Sequence, residues 1–219
     1  EREGQMNPVS SYPLTFSVDY PDRTLSRVST FFRIFAAIPI IILIGTITDA
    51  SFSYSSDAFD SDEIRSFAIG GTGFLTLPVL LMLLFRQKYP WWWANWNREL
   101  MRFSSRVGVY LALMDDRYPS TDDDQSVHLD FPQPDGSQLS RGLPLIKWFL
   151  AIPHYFILAI LGIAVFFVVV IAWFAILFTG RYPRGLFTFV EGYMRWYNRV
   201  TAYAIILITD QYPPFSMEP

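Results

Sequence analysis

Residues 143–179 read LPLIKWFLAIPHYFILAILGIAVFFVVVIAWFAILFT, and this run of 37 residues contains one charged side chain, Lys147. A helix that crosses a bilayer needs about 20 apolar residues. The run is therefore too long for one upright helix and barely long enough for two. It predicts either a hairpin of two helices that turns near Gly162 or one long tilted helix with a kink at Pro153.

A comparison of the two halves of the chain favours the hairpin. The stretch LSRVSTFFRIFAAIP at 25–39 has the same layout as LSRGLPLIKWFLAIP at 139–153, so that Arg33 stands in the position of Lys147. Downstream, LLFRQKYP at 83–90 corresponds to AILFTGRYP at 175–183. Self-similarity of this kind indicates an internal duplication.

In the first half the apolar run is divided by a polar, acidic segment. Pro39 and Tyr89 are 50 positions apart, whereas Pro153 and Tyr182 are 29 apart, so the first half is longer by 21 residues. This predicts two helices, at about 30–47 and 67–86, joined by an extracytoplasmic loop at 48–66. If the two halves share a fold, residues 143–179 also form a hairpin.

Composition and charge distribution point to a membrane protein. Apolar residues make up 52% of the chain and charged residues 17%, which leaves too few polar groups to cover a globule in water. The net charge of −3 gives no reason to expect nucleic-acid binding, and the absence of cysteine excludes disulfides. The start of the chain predicts no cleaved leader, because it lacks the basic and apolar regions of a secretion signal.

Lysine and arginine collect on the cytoplasmic flanks of spanning helices. With two hairpins, the basic residues lie on one side and the acidic loop on the other. A single span in the second half would instead put Arg181 and Arg184 outside. The charges therefore predict a multi-pass protein of the bacterial cytoplasmic membrane with both termini in the cytoplasm.

Each hairpin is followed by a segment with the periodicity of an amphipathic helix, at about 91–114 and 186–208. In the first, Arg98, Arg102 and Arg106 recur every four residues opposite an apolar face, and the second repeats the pattern with Arg195 and Arg199. These charges are costly in hydrocarbon, so we expect both helices to lie at the membrane surface. The alternative is that the arginines pair with carboxylates and the aromatic stripe packs against protein.

Arg33 and Lys147 each lie six residues before a proline, within the first turns of a helix that enters from the cytoplasm. A long basic side chain there can extend its charge to the lipid headgroups, although a buried functional charge is the alternative. We therefore predict phospholipid partners and one set of headgroup or interface contacts. The set is Arg33, Arg98, Arg102, Arg106, Lys147, Arg181, Arg184, Arg195, Arg199, Trp92, Trp96, Trp148 and Trp196.

The sequence offers little that could support catalysis. His128 and His154 have no metal-ligand spacing, and no phosphate loop or nucleophile elbow is present. We therefore expect no enzyme activity, no metal and no cofactor. Asp115, Asp116 and Asp210 follow the amphipathic helices, where they either pair with an arginine of the other half or are solvated.

The second half, through the segments FTGRYPRGLF and DQYPPF, resembles the bacterial membrane proteins grouped as domain of unknown function four-three-eight-nine. The first half departs from this pattern, with Arg-Gln-Lys at 86–88 in place of Thr-Gly-Arg at 179–181. The resemblance implies a protein of the bacterial inner membrane without an established activity. It implies no catalytic residues.

Together these patterns predict an all-α integral membrane protein of two tandem repeats, 1–119 and 139–219, joined by an acidic linker at 120–138. Each repeat is expected to be a transmembrane hairpin followed by an amphipathic interfacial helix. The expected function is that of a non-enzymatic accessory or scaffold subunit of a larger membrane complex, with homo-oligomerisation left open. The alternative is a small transporter or channel at the repeat interface, where Arg33, Lys147 and His154 would line the path.

Overall fold

The computed structural model describes residues 12–48, 71–121 and 123–219, and for 43–48 and 71–75 it describes the backbone. The strands are β1 (Thr15–Val18) and β2 (Val127–Asp130). The helices are α1 (Arg27–Thr48), α2 (Gly71–Arg86), α3 (Trp91–Leu111), α4 (Lys147–Leu150), α5 (Ile152–Thr179) and α6 (Arg184–Thr201). A 3₁₀ turn at Leu143–Leu145 precedes α4, and a π-helical turn at Ala202–Ile206 follows α6.

The two strands form an antiparallel pair in which Phe16 lies opposite Leu129 and Val18 opposite Val127. These four side chains are buried, and the side chains between them are exposed, which is the alternation of a strand with one covered face. The fold is therefore not all-α. The acidic segment 120–138, predicted as a linker, contains one of the two strands.

The two amphipathic helices pack on this strand pair, with α3 against β2 and α6 against β1. The two helices also meet each other, where the Asn198 side-chain amide donates a hydrogen bond of 3.2 Å to the Ser105 hydroxyl. α6, from the second half, thus packs on the strand of the first half, and α3 packs on the strand in the segment that joins the halves. Leu14, Met114, Ile206 and Leu207 complete the core around them.

The predicted second hairpin is wrong. Residues 143–179 form the short turn, α4 and then one continuous helix of 28 residues, α5, which runs through Gly162 without a break. The kinked single helix was the alternative, and Pro153 lies in the first turn of α5, where its missing amide hydrogen costs nothing. The helix continues because neither proline nor a polar side chain interrupts residues 155–178.

The prediction of a multi-span protein built from two hairpins is also wrong. Within the described ranges, α5 alone is long and apolar enough to cross a membrane. In the first half, α1 and α2 are close to the predicted helices, but positions 49–66 of the predicted loop lie outside the described residues.

α5 lies along the protein instead of projecting from it. Near its start, the Tyr212 hydroxyl donates to the carbonyl of Leu150, and near its end, Arg27 donates to the carbonyl of Phe178. In the middle, a methyl group on Gly162 would come within 3.2 Å of the Tyr193 hydroxyl oxygen. One face of α5 is therefore held against the protein along its length.

Candidate functional site

Lys147 is enclosed by the protein, with 0% of its surface exposed. Its ammonium group donates a hydrogen bond of 2.7 Å to the carbonyl of Thr209 and forms an ion pair of 2.7 Å with Asp210. It also lies 5.2 Å from the centre of the Tyr203 ring. Burial lowers the pKa of Lys147, and the neighbouring Asp210 opposes that effect.

Asp210 is the counter-ion of this site. Burial acts to raise the pKa of Asp210, but Lys147 and the backbone amide of Ser140, at 2.6 Å, outweigh it and lower the pKa below its ordinary value. The carboxylate therefore stays ionised beside the buried ammonium group. Ser140 lies before α4 and Asp210 lies after the π-helical turn. Their hydrogen bond therefore connects these two segments.

Arg33 occupies a similar position in the first half and is 2% exposed. One terminal nitrogen, Nη1, donates to the carbonyls of Tyr110 and Asp115, and the guanidinium lies 4.3 Å from the centre of the Tyr110 ring. Unlike Lys147, it has no carboxylate at ion-pair distance among the described residues. The side chain of Asp115 is instead bound by Arg23 and Arg117.

The two sites match in detail. Tyr110 and Tyr203 are 93 positions apart, while the left-handed residues Leu113 and Leu207 are 94 apart. The π-helical turn after α6 accounts for the additional residue, because such turns insert one residue into a helix. Each cation therefore donates to a carbonyl in the turn that follows the amphipathic helix of its own half.

This placement corrects the prediction that Arg33 and Lys147 extend to the headgroups. Their charges lie inside the protein, where the carbonyls of Asp115 and Thr209, which lie outside the helices and strands, accept their hydrogen bonds. The sequence could not show this, because the carbonyls come from residues 77, 82 and 62 positions away along the chain.

The arginine stripes bind the strands. Arg98 donates to the carbonyl of Phe131 at 2.9 Å, and Arg102 donates to the carbonyl of Leu129 at 2.8 Å. On the other side, Arg195 donates to the carbonyl of Phe16 at 2.9 Å. Within the described ranges no third strand pairs with β1 or β2, so the arginines bind carbonyls of the strands and of Phe131, which directly follows β2. The arginines therefore contact protein, as in the alternative, but these acceptors are backbone carbonyls and not the carboxylates that the alternative named.

Two further stripe arginines are buried as well. Arg106 donates to the carbonyl of Ser120 at 2.8 Å, and Arg199 lies 5.9 Å from the centre of the Tyr12 ring. Of the predicted contact set, five side chains have more than a third of their surface exposed to solvent. These are Arg181, Arg184, Trp92, Trp96 and Trp148. Headgroup contacts stay a prediction for these five residues.

Trp196 belongs to a buried aromatic cluster. Its indole nitrogen donates to Nδ1 of His154 at 3.0 Å, and the imidazole stacks on Phe215 with ring centres 4.0 Å apart. Lys147 and His154 are enclosed here, at one end of α5, whereas Arg33 lines a groove between α1 and α5. The described parts of the chain thus place no common path along these three residues. They also contain no group of acidic or histidine side chains that could hold a metal ion.

The aspartates pair within their own halves. Asp115 binds Arg23 and Arg117, and Asp210 binds Lys147. Both alternatives, a partner in the other half and simple solvation, are therefore wrong for these two carboxylates. The chain reversals bring the acidic residues back to the start of the same half.

Sequence reasoning missed an exposed apolar stripe on α5. Its members recur at intervals of three or four residues, the spacing of one helix face. They are Phe156, Ile160, Ile163, Phe167, Ile171, Phe174 and Phe178. Because every position of α5 is apolar after His154 and before Thr179, the periodicity gave no sign of which face would be covered.

Residues 144–217 match the family model described as Domain of unknown function (DUF4389). This segment is therefore similar to that family over about a third of the chain. It contains Lys147, the exposed stripe of α5 and Asp210, so both partners of the buried ion pair fall within the DUF4389 match. The first half lies outside the match, and the duplication therefore stays a prediction. No curated protein and no solved structure matches the chain.

Proposed function

We propose that the protein is a non-enzymatic accessory or scaffold subunit embedded in the bacterial cytoplasmic membrane through one apolar face. The exposed stripe of α5 carries this proposal. Phe178 is 77% exposed at one end of the stripe, and Phe156 is 68% exposed near the other. Soluble monomers rarely expose a continuous apolar surface of this extent.

Neighbouring helices enlarge the apolar face. On α1, Ile34 and Phe35 are 75% and 68% exposed, and on α2, Phe85 is 73% exposed. α1 packs on both α5 and α2, so the three helices are neighbours. Hydrocarbon is the environment that such a surface prefers, since burying one large apolar side chain is worth about 1.5–3 kcal/mol.

The buried cations support a structural role. Lys147 and Arg33 are bound by carbonyls of their own halves, and Arg98, Arg102 and Arg195 are bound to the strand pair. These charges stabilise a polar layer beside the apolar helices. We propose that the exposed Arg181, Arg184, Trp92, Trp96 and Trp148 contact lipid headgroups where the two layers meet.

The absence of cysteine from the chain allows a direct test, because a single introduced cysteine can carry a nitroxide label. We would label Ile163→Cys on the exposed stripe and, as the matched control, Ser17→Cys on the outward face of β1, both in lipid vesicles. Position 163 should be accessible to oxygen and protected from a water-soluble nickel complex, and position 17 should show the reverse. Equal access of the nickel complex to both labels would contradict the membrane proposal.

The scaffold role needs a second measurement. Native membranes from the source cells, dissolved in a mild detergent, should release the protein in a complex much larger than its own 25.3 kDa. Release of monomers alone would refute the scaffold role and leave the membrane location standing.

A further inference from the structure

A pocket of about 620 Å³ lies where α2 ends and the chain turns into α3. Residues 86–91 form one wall, and the loop 133–137, shortly after β2, forms the other. Gly136 seats this loop directly on the first wall, because a methyl group there would come within 2.7–2.8 Å of backbone atoms of Lys88 and Tyr89. The volume falls within the range of about 300–1,000 Å³ that small-molecule sites occupy.

Three cations meet at this pocket. Arg86 and Lys88 line it and are exposed, and among the described residues neither has a carboxylate at ion-pair distance. The third cation is Arg141, whose guanidinium donates a hydrogen bond of 2.8 Å to the side-chain oxygen of Gln87 in the same lining. The charges come from both halves of the chain.

The acidic residue of the lining, Asp135, does not balance these charges. Its oxygen Oδ1 accepts hydrogen bonds from the amide and the hydroxyl of Ser137, and Oδ2 accepts one of 3.1 Å from the side chain of Gln138. Three positive charges against one negative charge leave a surplus of two. Asp210, which binds the amide next to Arg141, is already the counter-ion of Lys147. The pocket is therefore complementary to an anion.

The turn at the end of α2 gives Gln87 a particular role. Its φ of 46° is uncommon for a residue other than glycine, and Gly180, 93 positions later, has a φ of 72° at the end of α5. A glycine would therefore satisfy the backbone of this turn. The glutamine adds what a glycine lacks, an amide oxygen that holds Arg141 beside the pocket.

The pocket also borders the apolar face. Met82 and Trp91 belong to its lining, and Trp91 is 70% exposed. Phe85, which directly precedes Arg86, is 73% exposed on α2. Tryptophan prefers the boundary between hydrocarbon and water. A ligand that fits both the cations and this border has an anionic head and apolar chains.

We propose that the pocket binds the headgroup of an anionic phospholipid, with the phosphate between Arg86 and Lys88 and the acyl chains along Phe85. This site rests on the proposed membrane location, because a bilayer supplies the lipid, and it adds the class of lipid that the protein selects. A zwitterionic headgroup fits less well, since its ammonium group would enter a pocket with surplus positive charge.

The test uses the full chain in detergent micelles with two photoreactive probes of equal chain length, a phosphatidylglycerol and a phosphatidylethanolamine. The reactive group lies next to the headgroup, and cross-linked peptides are identified by mass spectrometry. Phosphatidylglycerol should label residues 82–91 and 133–137 about tenfold more than phosphatidylethanolamine does.

Two double variants separate this pocket from general charge attraction. Arg86→Gln with Lys88→Gln should reduce labelling of the pocket by phosphatidylglycerol about tenfold and remove the preference for this lipid. Arg181→Gln with Arg184→Gln removes the same charge from exposed sites after the end of α5 and should leave labelling of the pocket unchanged.

A second pair of variants keeps every charge. Gly136→Ala forces the loop away from the backbone of Lys88 and Tyr89 and should reduce the labelling several-fold. Gly142→Ala, whose methyl group would meet nothing within 4 Å, should leave it unchanged. Undiminished labelling of Gly136→Ala would show that the lipid does not occupy this pocket.

Three further outcomes would overturn the proposal: equal labelling by the two lipids, equal effects of the two double variants, or displacement of the probe by millimolar inorganic phosphate, which would assign the site to a free anion. Labelling in micelles does not require a bilayer. Loss of the lipid preference with a protected nitroxide at position 163 therefore counts against this site alone, whereas access of the nickel complex to position 163 counts against the membrane location.

Discussion

Asp210→Asn should destabilise the protein, because it removes the counter-ion of the buried Lys147. The substitution keeps the size of the side chain and removes the charge that lies 2.7 Å from the ammonium group of Lys147. The asparagine oxygen can still accept a hydrogen bond from Lys147, as the carbonyl of Thr209 does, but the ion pair is lost. The charge of Lys147 would then be buried without a counter-ion.

Removing one partner of a fully buried ion pair costs about 3–5 kcal/mol. Asp210 is 24% exposed, so solvent already weakens its interaction, and we expect a loss of about 2–3 kcal/mol in the free energy of unfolding. For a chain of this size, each kcal/mol lowers Tm by about 2–4 °C, which gives a decrease of about 4–12 °C. Lys147→Met should cost less, because the remaining carboxylate is partly hydrated.

The assay is thermal unfolding in a mild detergent, followed by near-ultraviolet circular dichroism at neutral pH. Asp124→Asn, at an exposed site, is the control for the loss of a negative charge. The double variant Lys147→Met with Asp210→Asn should be more stable than Asp210→Asn alone, because no buried charge remains. If Asp210→Asn changes Tm no more than Asp124→Asn does, the ion pair is not a buried structural element and Lys147 contacts solvent or headgroups.

Acid should destabilise the protein through its bound carboxylates. The folded-state pKa of Asp115 and of Asp210 lies below the ordinary value, so their contribution is present above the unfolded-state pKa and is lost as the pH falls through the folded-state pKa, below about pH 4. A titration of Tm should therefore show a smaller decrease for Asp210→Asn than for the original chain, and parallel curves would contradict this. A second prediction concerns α6, where a methyl group on Gly192 would lie 2.8 Å from Cβ of Met217, whereas one on Gly185 would meet nothing within 4 Å. Gly192→Ala should cost about 1–3 kcal/mol, and Gly185→Ala should be neutral or stabilising, as measured by chemical denaturation. Equal stabilities of these two variants would show that the C-terminal segment does not pack on α6.

Helical periodicity was enough to predict the two amphipathic helices. The segments predicted at 91–114 and 186–208 became α3 and α6 because apolar residues recur at helical spacing on a single face. Their ends were less predictable. α3 stops at Leu111 and α6 gives way at Ala202 to a π-helical turn, since Leu113 and Leu207 take left-handed conformations that only the surrounding core supports.

Periodicity could not predict whether the continuous apolar run at 143–179 forms one helix or two. A stretch without polar residues contains no signal for a turn, and the hairpin near Gly162 was inferred from an acidic insertion that the second half does not have. The β-strand at Val127–Asp130 was missed for a related reason. Four residues in a polar segment form a strand only because another strand lies beside them.

The sequence by itself determined that the chain is unusually apolar and that its two arginine-rich segments are helices, and it predicted that Arg33 and Lys147 occupy corresponding positions. These features are local, because spacing and composition act through neighbours a few residues apart. Only the tertiary structure decided that the cations are buried, that the arginines bind the strands, and which face of α5 stays exposed. Those outcomes depend on carbonyls and carboxylates from distant parts of the chain, which come within hydrogen-bonding distance only after the helices have packed.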